Sequence, residues 1–455
     1  MTTEKKRVYV VAGSRTPIGT LGKSLRGVTV DKLLRHSMKH AIRRANVKPE
    51  QIDEVVIGHG FQSGYTPNTA RFSWIEEGFP ANVPGMTVSR QCGSGMEAVG
   101  TAADKMRQGQ GDLMIAGGCE SMSTVPYLQP GKKRWDSWTG WVEKNLKIPR
   151  MGPRPAETLK YGALTAVVGL LGLVLTPFFG AVVGYLALFA ALLFGGFTAY
   201  TAFTDMADNG IAPRHMLKDM NTVFMSATAQ RVADQFGVTR QEMDEYALRS
   251  QELARAAIKS GRFALEIDPI DVPGRGVFKD DEHPRETTAQ KLGSLRGVLG
   301  NRDITAGNSS GINDGACSLI LATGEKVAEL GVEPLAEIID YAVAGVDPNT
   351  MGLGPVAAIE KLLEKNNLTL DDIDIIELNE AFAAQYLGCE KLLKLDRNKV
   401  NVNGGAIALG HPIGMSGARL VLTLSHELKL QGKRRGIAAL CIGGGMGIAT
   451  LIERS

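Results

Sequence analysis

Between Lys160 and Asp205 the chain carries no charged residue. Tyr161–Thr204 is a run of 44 uncharged positions, where one bilayer crossing needs roughly 20. Pro177, within Thr176-Pro177-Phe178-Phe179-Gly180, breaks or kinks a helix near the middle. The run therefore predicts two apolar helices, about 158–175 and 179–203, joined as a hairpin over 158–203. Gly180 and Gly184 have the small-xxx-small spacing that lets helix backbones approach. Trp135, Trp138 and Trp141 recur every third residue ahead of the run, and tryptophan favours the membrane–water boundary. Gly131–Lys160 holds eight basic residues against three acidic ones, and Arg214 and Lys218 follow the second arm. Basic flanks on both sides fit a hairpin with both ends beside the anionic cytosolic leaflet. The alternative is a buried helical pair or an oligomer interface.

At 455 residues the chain is long enough for two or three domain units and a large core. Hydrophobic residues at 44% and charged residues at 22% exclude a disordered chain. A net charge of +3 is too balanced for a protein built to hold nucleic acid. The five cysteines, at 92, 119, 317, 389 and 441, form no CxxC and no zinc-type spacing. A sparse, odd count fits free thiols in a reducing compartment. The apolar stretch Val8–Ala12 is too short for a signal peptide, which predicts a cytoplasmic catalytic body attached to the membrane on its cytosolic face.

Outside the uncharged run, short apolar strands alternate with helix-periodic stretches. Strands are expected at Arg7–Ala12, Val55–Gly58, Leu113–Gly117, Ser318–Ala322, Ala336–Ala344, Ile373–Leu378 and Gly436–Ile442. Helices are expected at Val30–Ala45, Gly95–Gln108, Leu353–Asn366, Glu380–Lys394 and Gly414–Leu430. Alternation of this kind predicts a layered α/β fold. Thr228–Phe263 is charged and helix-periodic, and reads as a solvated helix pair. The outer parts echo each other loosely as strand, helix, strand and glycine-rich turn.

Four short motifs carry the residue types of acyl chemistry. Ser89-Arg90-Gln91-Cys92-Gly93-Ser94-Gly95-Met96-Glu97-Ala98 opens a helix. A cysteine there has its thiolate stabilised by the helix dipole and free N–H groups. Read alone, it is either a nucleophile or a buried cysteine in a tight turn. In Asn403-Gly404-Gly405-Ala406-Ile407-Ala408-Leu409-Gly410-His411-Pro412-Ile413-Gly414 a histidine sits on a bare loop ahead of a helix, suited to act as base or oxyanion donor. Cys441-Ile442-Gly443-Gly444-Gly445-Met446-Gly447 leaves a strand into a glycine run whose N–H groups are free to meet an anion. Asn379-Glu380-Ala381-Phe382-Ala383 ends a strand in an amide and a carboxylate, where open α/β sheets place ligands.

These motifs, in this order and together with Thr305-Ala306-Gly307-Asn308-Ser309-Ser310-Gly311-Ile312-Asn313-Asp314-Gly315-Ala316, closely resemble the thiolase family (acetyl-CoA C-acyltransferases and acetyl-CoA acetyltransferases). The resemblance spans everything but the uncharged run and its flanks. It implies two similar βαβ-type halves plus a loop domain carrying the apolar helical hairpin. One half would be 1–121 with 311–325, the loop domain 122–310, and the other half 326–455. By the same likeness Cys92 is the acylated nucleophile, His411 the base that activates it, and Cys441 the acid/base at the acetyl α-carbon. Asn379 holds a water that completes an oxyanion hole with His411, and the N–H groups of Cys92 and Gly443 form a second. Ser310 matches the position that bonds the pantetheine arm. Met225 and Phe382 match substrate-contacting positions, although Phe382 fits packing equally well, and Glu380 is a further candidate for the pocket wall.

The resemblance further implies CoA thioesters as substrates, no permanently bound cofactor, no metal, no nucleic acid, and a homodimer or homotetramer. The activity would be thiolytic cleavage of 3-ketoacyl-CoA, as in fatty acid β-oxidation, or biosynthetic acetoacetyl-CoA formation. An alternative of another class is an inactive membrane scaffold or lipid-binding protein. Gly13-Ser14-Arg15-Thr16-Pro17 resembles the family's first loop, structural at a subunit contact. Cys119, Cys317 and Cys389 are expected as core thiols. One departure stands in the substrate loop, where Phe224-Met225-Ser226 replaces His-Met-Gly. Because Cys92 precedes the uncharged run while His411 and Cys441 follow it, the chain must cross a membrane an even number of times or only dip into it. The partner of 158–203 is then membrane lipid or an integral-membrane protein.

Overall fold

The computed structural model describes residues 6–62, 67–125 and 225–455. The hairpin expected over 158–203 lies outside the described residues. Among them, no helix is long and apolar enough to cross a membrane.

In chain order the first part runs β1 Val8–Arg15, β2 Gly19–Thr20, α1 Val30–Arg44, β3 Glu54–His59, α2 Thr69–Glu76, β4 Gly85–Val88, α3 Ser94–Arg107 and β5 Leu113–Ser121. It resumes with α4 Met225–Phe236, α5 Arg240–Lys259, β6 Ile270–Val272, β7 Gly276–Phe278, α6 Ala289–Gly293, β8 Asn313–Thr323 and α7 Gly324–Leu330. The last part is β9 Ala336–Gly345, α8 Gly354–Lys365, β10 Ile375–Leu378, α9 Ala383–Leu393, α10 Ala406–Leu409, α11 Ile413–Gln431, β11 Arg435–Ile442 and β12 Met446–Glu453.

One continuous sheet runs β10-β11-β12-β9-β1-β8-β5-β3-β4, with β2 paired to β8. Its two ends are built alike. β3 lies parallel to β4 and β5, and β5 antiparallel to β8. At the other end β10 lies parallel to β11 and bridges in parallel to Val400, while β11 is antiparallel to β12. The loose echo in the sequence is thus an echo of topology. The strands that join the ends, β1 and β9, pair antiparallel over Val8–Val10.

The sheet wraps around two helices. α3 packs on β3 and β5 but also on β12 and β9; α11 packs on β5 and β8 and also on β10 and β11. α11 is consequently buried on nearly every side, including Met415, Leu420, Val421, Leu422 and Leu424. A helix apolar all round belongs in a core rather than at a surface. α1 and α8 cover the outer faces of the two ends, each presenting one apolar stripe, as with Leu33, Leu34, Met38, Ala41 and Ile42 of α1. The central strands β5 and β8 are buried along their whole length, which is why their middles, Leu113–Gly117 and Leu319–Ala322, read as apolar runs.

Three sequence expectations need correction. Residues 380–382 are not helical, Phe382 being extended, and α9 begins only at Ala383. Ser310 N–H donates to Ala381 O, and Ala383 N–H to Asn308 O, so an incoming loop takes the groups a helix would have used. The pair α4–α5 is solvated on one side only, since Thr228, Ala229, Val232, Met243, Tyr246 and Ser250 are buried. β4 and β12 went unforeseen, β4 because it is only four residues long and β12 because its glycine-rich start, Met446-Gly447, masks the run. Cys119, Cys317 and Cys389 are buried core thiols as expected. Of Gly13–Pro17, expected as a loop, Gly13, Ser14 and Arg15 belong to β1, and the segment is anchored within the chain itself. Buried Arg15 donates from Nε to Glu266 (3.0 Å) and from its two Nη atoms to both oxygens of Asp281 (2.8 and 2.9 Å).

α3, α11 and β5 meet backbone to backbone. A β-carbon on Gly95 would stand 2.6 Å from Gly414 O, and one on Gly118 would collide with that same carbonyl. Gly118→Ala should therefore lower the urea midpoint by the equivalent of about 1–3 kcal/mol or more. Gly27→Ala, whose methyl meets open space, should stay within about 0.5 kcal/mol of wild type. Equal midpoints for the two variants would show that the contact can relax.

Candidate active site

The close approach at Gly95 and Gly414 sets the site. Each lies three residues past a candidate, Cys92 or His411, so the N-terminal turns of α3 and α11 bring both loops together. The parallel strands β10 and β11 supply the other two, with Asn379 just past the end of β10 and Cys441 one residue before the end of β11. All four candidates, spread over 350 positions, thus stand at element ends, and Cys92 and Cys441 are neighbours.

Cys92 follows Gln91, whose φ of 48° is left-handed, a conformation a side chain adopts at a cost and one frequent at functional turns. Ser94 holds this elbow by accepting from Arg90 N–H (2.9 Å) and donating to Gln91 O (2.6 Å). The sulfur is reached by the N–H of Gly443 and by its own N–H. The sequence predicts a thiolate stabilised by the helix dipole. In the structure burial outweighs this and pushes the Cys92 thiol up to about 11, with the Gly443 and Cys92 N–H groups only moderating the rise. Burial also pushes the Cys441 thiol well up, and the neighbouring Cys92 adds to it. Both sulfurs are therefore protonated at neutral pH, and either would need a base in order to react as a thiolate.

His411 is in the state to be that base. Burial, with Arg419 adding to it, pulls its imidazole down to about 4, so it is neutral at pH 7. Its backbone N–H donates to Asn313 Oδ1 (2.9 Å), and Nδ1 lies 2.6 Å from Ser416 Oγ. Among the described residues Nε2 is buried with no partner. The side chain of Asn379 is fully buried and, among the described residues, both of its polar atoms lack a partner, while its N–H is bound to Ala439 O (2.9 Å). Buried polar atoms are rarely left unmatched. Three such atoms at element ends mark a place shaped for something polar.

Met225 and Phe382 pack with Met351 and Ala381 against Cys441, forming an apolar wall. Met225 Sδ lies 3.7 Å from where a β-carbon on Gly443 would stand. Ser310 reaches the same wall through its hydrogen bond to Ala381 O. In the departed substrate loop, Phe224 lies outside the described residues, and Ser226 accepts from Asn301 Nδ2 (3.0 Å).

Glu380 does not line the site. It is fully buried, and its carboxylate accepts from Tyr246 Oη (2.8 Å), Ser250 Oγ (2.6 Å), Asn401 Nδ2 (3.1 Å) and Ile407 N–H (3.1 Å). It ties the end of β10 to α5 and to the loop that leads to His411. Four supporting residues were missed by the sequence. Asn313 sits inside a quoted motif but without a role. Glu120 accepts from the N–H groups of Gly414 (3.1 Å) and Gly60 (3.1 Å), and was signalled only by being a carboxylate at the end of an apolar strand. Ser416 and Met351 carried no local signal at all. Among the described residues no group of three or more His, Cys, Asp or Glu could hold a metal ion.

The raised Cys92 thiol has a direct readout. Its alkylation by iodoacetamide in the free protein, followed by mass spectrometry of the Cys92 peptide, should still be accelerating at pH 10. A thiol of ordinary pKa, ~8.5, would be levelling by then. A plateau below pH 9 would mean that the helix dipole prevails after all.

Comparison with known proteins fits this geometry. The family model "Thiolase, N-terminal domain" matches residues 8–151 and 197–325, and "Thiolase, C-terminal domain" matches 332–454. An acetyl-CoA acetyltransferase of Syntrophomonas wolfei is 39% identical, with 98% of this chain and 99% of the relative covered. A beta-ketoadipyl-CoA thiolase of Pseudomonas aeruginosa is also 39% identical, covering 99% of each. The crystal structure of the Bacillus anthracis acetyl-CoA acetyltransferase superposes with a TM-score of 0.80 at 38% identity, covering 99% of both chains. That of human mitochondrial 3-ketoacyl-CoA thiolase in complex with CoA gives 0.76 at 33%, covering 99% of this chain and 98% of the other. The fold, the element-end site and the full-length likeness agree: this chain belongs to the thiolase family of acyltransferases.

Proposed function

We propose that the chain catalyses the CoA-dependent thiolytic cleavage of a 3-ketoacyl-CoA to acetyl-CoA and a shortened acyl-CoA, reversible as a Claisen condensation. What supports this reading is the position of Cys92, His411, Asn379 and Cys441 at the ends of α3, α11, β10 and β11, together with the unmatched polar atoms of His411 and Asn379. Cys92 Sγ attacks the 3-keto carbon while its proton passes to His411 Nε2. The C2–C3 bond breaks, its electron pair leaving on the acetyl-CoA enolate, which takes a proton from Cys441. The thiolate of Cys441 then deprotonates an incoming CoA thiol, whose sulfur attacks the Cys92 thioester. The shortened acyl-CoA departs, and the Cys92 thiolate recovers its proton from His411. Negative oxygen is met by His411 with a water held by Asn379, and by the N–H groups of Cys92 and Gly443.

Ser310 is assigned to the pantetheine arm, and Met225 and Phe382 to the walls beside the acyl group. Support for the fold halves, 1–121 with 311–325 and 326–455, comes from the repeated strand order. Relatives named for acetyl-CoA and for beta-ketoadipyl-CoA bracket the substrate choice. Fatty acid β-oxidation and acetoacetyl-CoA synthesis both use this chemistry, and a family homodimer or homotetramer would serve either. No observation favours an inactive scaffold.

Cys92→Ser should reduce acetoacetyl-CoA thiolysis by at least about 10³-fold with the fold intact by circular dichroism. A rate equal to wild type would exclude the acyl-enzyme. Rates across a C4-to-C16 3-ketoacyl-CoA series should show a maximum that identifies the substrate length.

The membrane hairpin over 158–203 is supported by sequence alone, through the absence of charge across Tyr161–Thr204. After a carbonate wash, the full-length chain should remain in the membrane pellet and a 156–210 deletion in the supernatant. Recovery of both without detergent would end the tether.

A further inference from the structure

His411 has to present a bare nitrogen to the nucleophile, and the position of its one neutral proton decides whether it can. Ser416, in the first turn of α11, touches two groups. Its Oγ is 2.8 Å from Pro412 O and 2.6 Å from His411 Nδ1. A carbonyl oxygen can only accept, so the single hydroxyl proton belongs to the contact with Pro412. With that proton committed, Ser416 Oγ meets Nδ1 only as an acceptor. The imidazole proton must then be on Nδ1, and Nε2 carries a lone pair. If the hydroxyl turned toward Nδ1 instead, two oxygens without a proton between them would face each other at 2.8 Å.

We infer that Ser416 is a positioning residue that fixes His411 as the Nδ1–H tautomer and so keeps Nε2 free as the base. This rests on the assignment of His411 as the base. Unpartnered Nε2 is the atom left over by this accounting. The arrangement also serves the next state. When Nε2 takes the Cys92 proton, the imidazolium has a proton on each nitrogen, and Ser416 already accepts the one on Nδ1. No group has to turn during the transfer. Among the described residues the hydrogen-bond partner of Nδ1 is Ser416. Asn313 Oδ1 is engaged by the His411 backbone N–H, Arg419 is a cation, and the Glu120 carboxylate is taken up with backbone N–H groups of Gly60, Phe61 and Gly414.

The test pairs a spectroscopic readout with kinetics. In ¹⁵N-histidine-labelled protein at pH 7.5, solid-state ¹⁵N NMR should show His411, assigned by the signal lost in His411→Asn, protonated at Nδ1. Ser416→Ala should move that proton to Nε2 and lower kcat for acetoacetyl-CoA thiolysis roughly 10–100-fold, with KM near wild type. Ser416→Thr, which keeps the hydroxyl, should restore the Nδ1–H signature and most of the rate, and it guards against a Ser416→Ala protein that fails to fold. In a His411→Asn background, Ser416→Ala should cause no further loss. Wild-type His411 protonated at Nε2, or the same loss from Ser416→Ala in the His411→Asn background, overturns the inference. A His411→Asn protein as active as wild type refutes the base assignment itself, whereas the NMR signature continues to report on Ser416 independently.

Discussion

The contact between the first turns of α3 and α11 is the interaction on which the rest depends. It is a contact of backbone with backbone, made possible because Gly95 and Gly118 have no side chain to hold the Gly414 carbonyl away. A sheet can be wrapped round two helices with larger residues at such points, but the helices then stand further apart. Here their N-terminal ends converge, and the loops preceding them converge as well. That approach turns the loops carrying Cys92 and His411 toward one region, although nothing in the local chain around either residue refers to the other. Asn379 and Cys441 join them by a separate device, the parallel pairing of β10 with β11, which aligns two strand ends on one side of the sheet.

Within that frame the electrostatics run against the simplest expectation. A cysteine at a helix start is usually credited with a low pKa. Desolvation reverses the sign here, since burial acts on the whole thiolate charge whereas the helix end offers only partial charges. The same desolvation lowers His411. A protonated thiol at Cys92 and a neutral imidazole at His411 are therefore the resting states of these two groups at neutral pH. The buried carboxylates do different work. Glu380 and Glu120 each gather hydrogen-bond donors from several elements, so they fix the strand end and the helix start that carry the reacting groups.

Much of the architecture was legible beforehand. The central strands could be read because burial on both faces demands unbroken apolar runs, and α1, α3, α8 and α11 because one buried face or more imposes a helical period. The misreadings had physical causes. Residues 380–382 have helix-forming composition but lose their hydrogen-bonding groups to a loop more than 70 positions away in the chain. Glu380 looked like a pocket residue because a charge near a strand end is normally exposed, and only the fold brings Tyr246, Ser250 and Asn401 to it.

What the sequence determined by itself was the inventory: which residues have reactive sulfur, imidazole or amide, and that each stands at the end of an element rather than inside one. Local patterning suffices for that, since turns, glycine runs and apolar periods are properties of neighbouring residues. Tertiary structure alone decided the state of those groups. Whether Cys92 is thiol or thiolate, whether Nε2 of His411 is bare, and which hydroxyl receives its other nitrogen depend on solvent exclusion and on partners contributed by distant segments. Such quantities arise only when the two ends of the sheet close around α3 and α11.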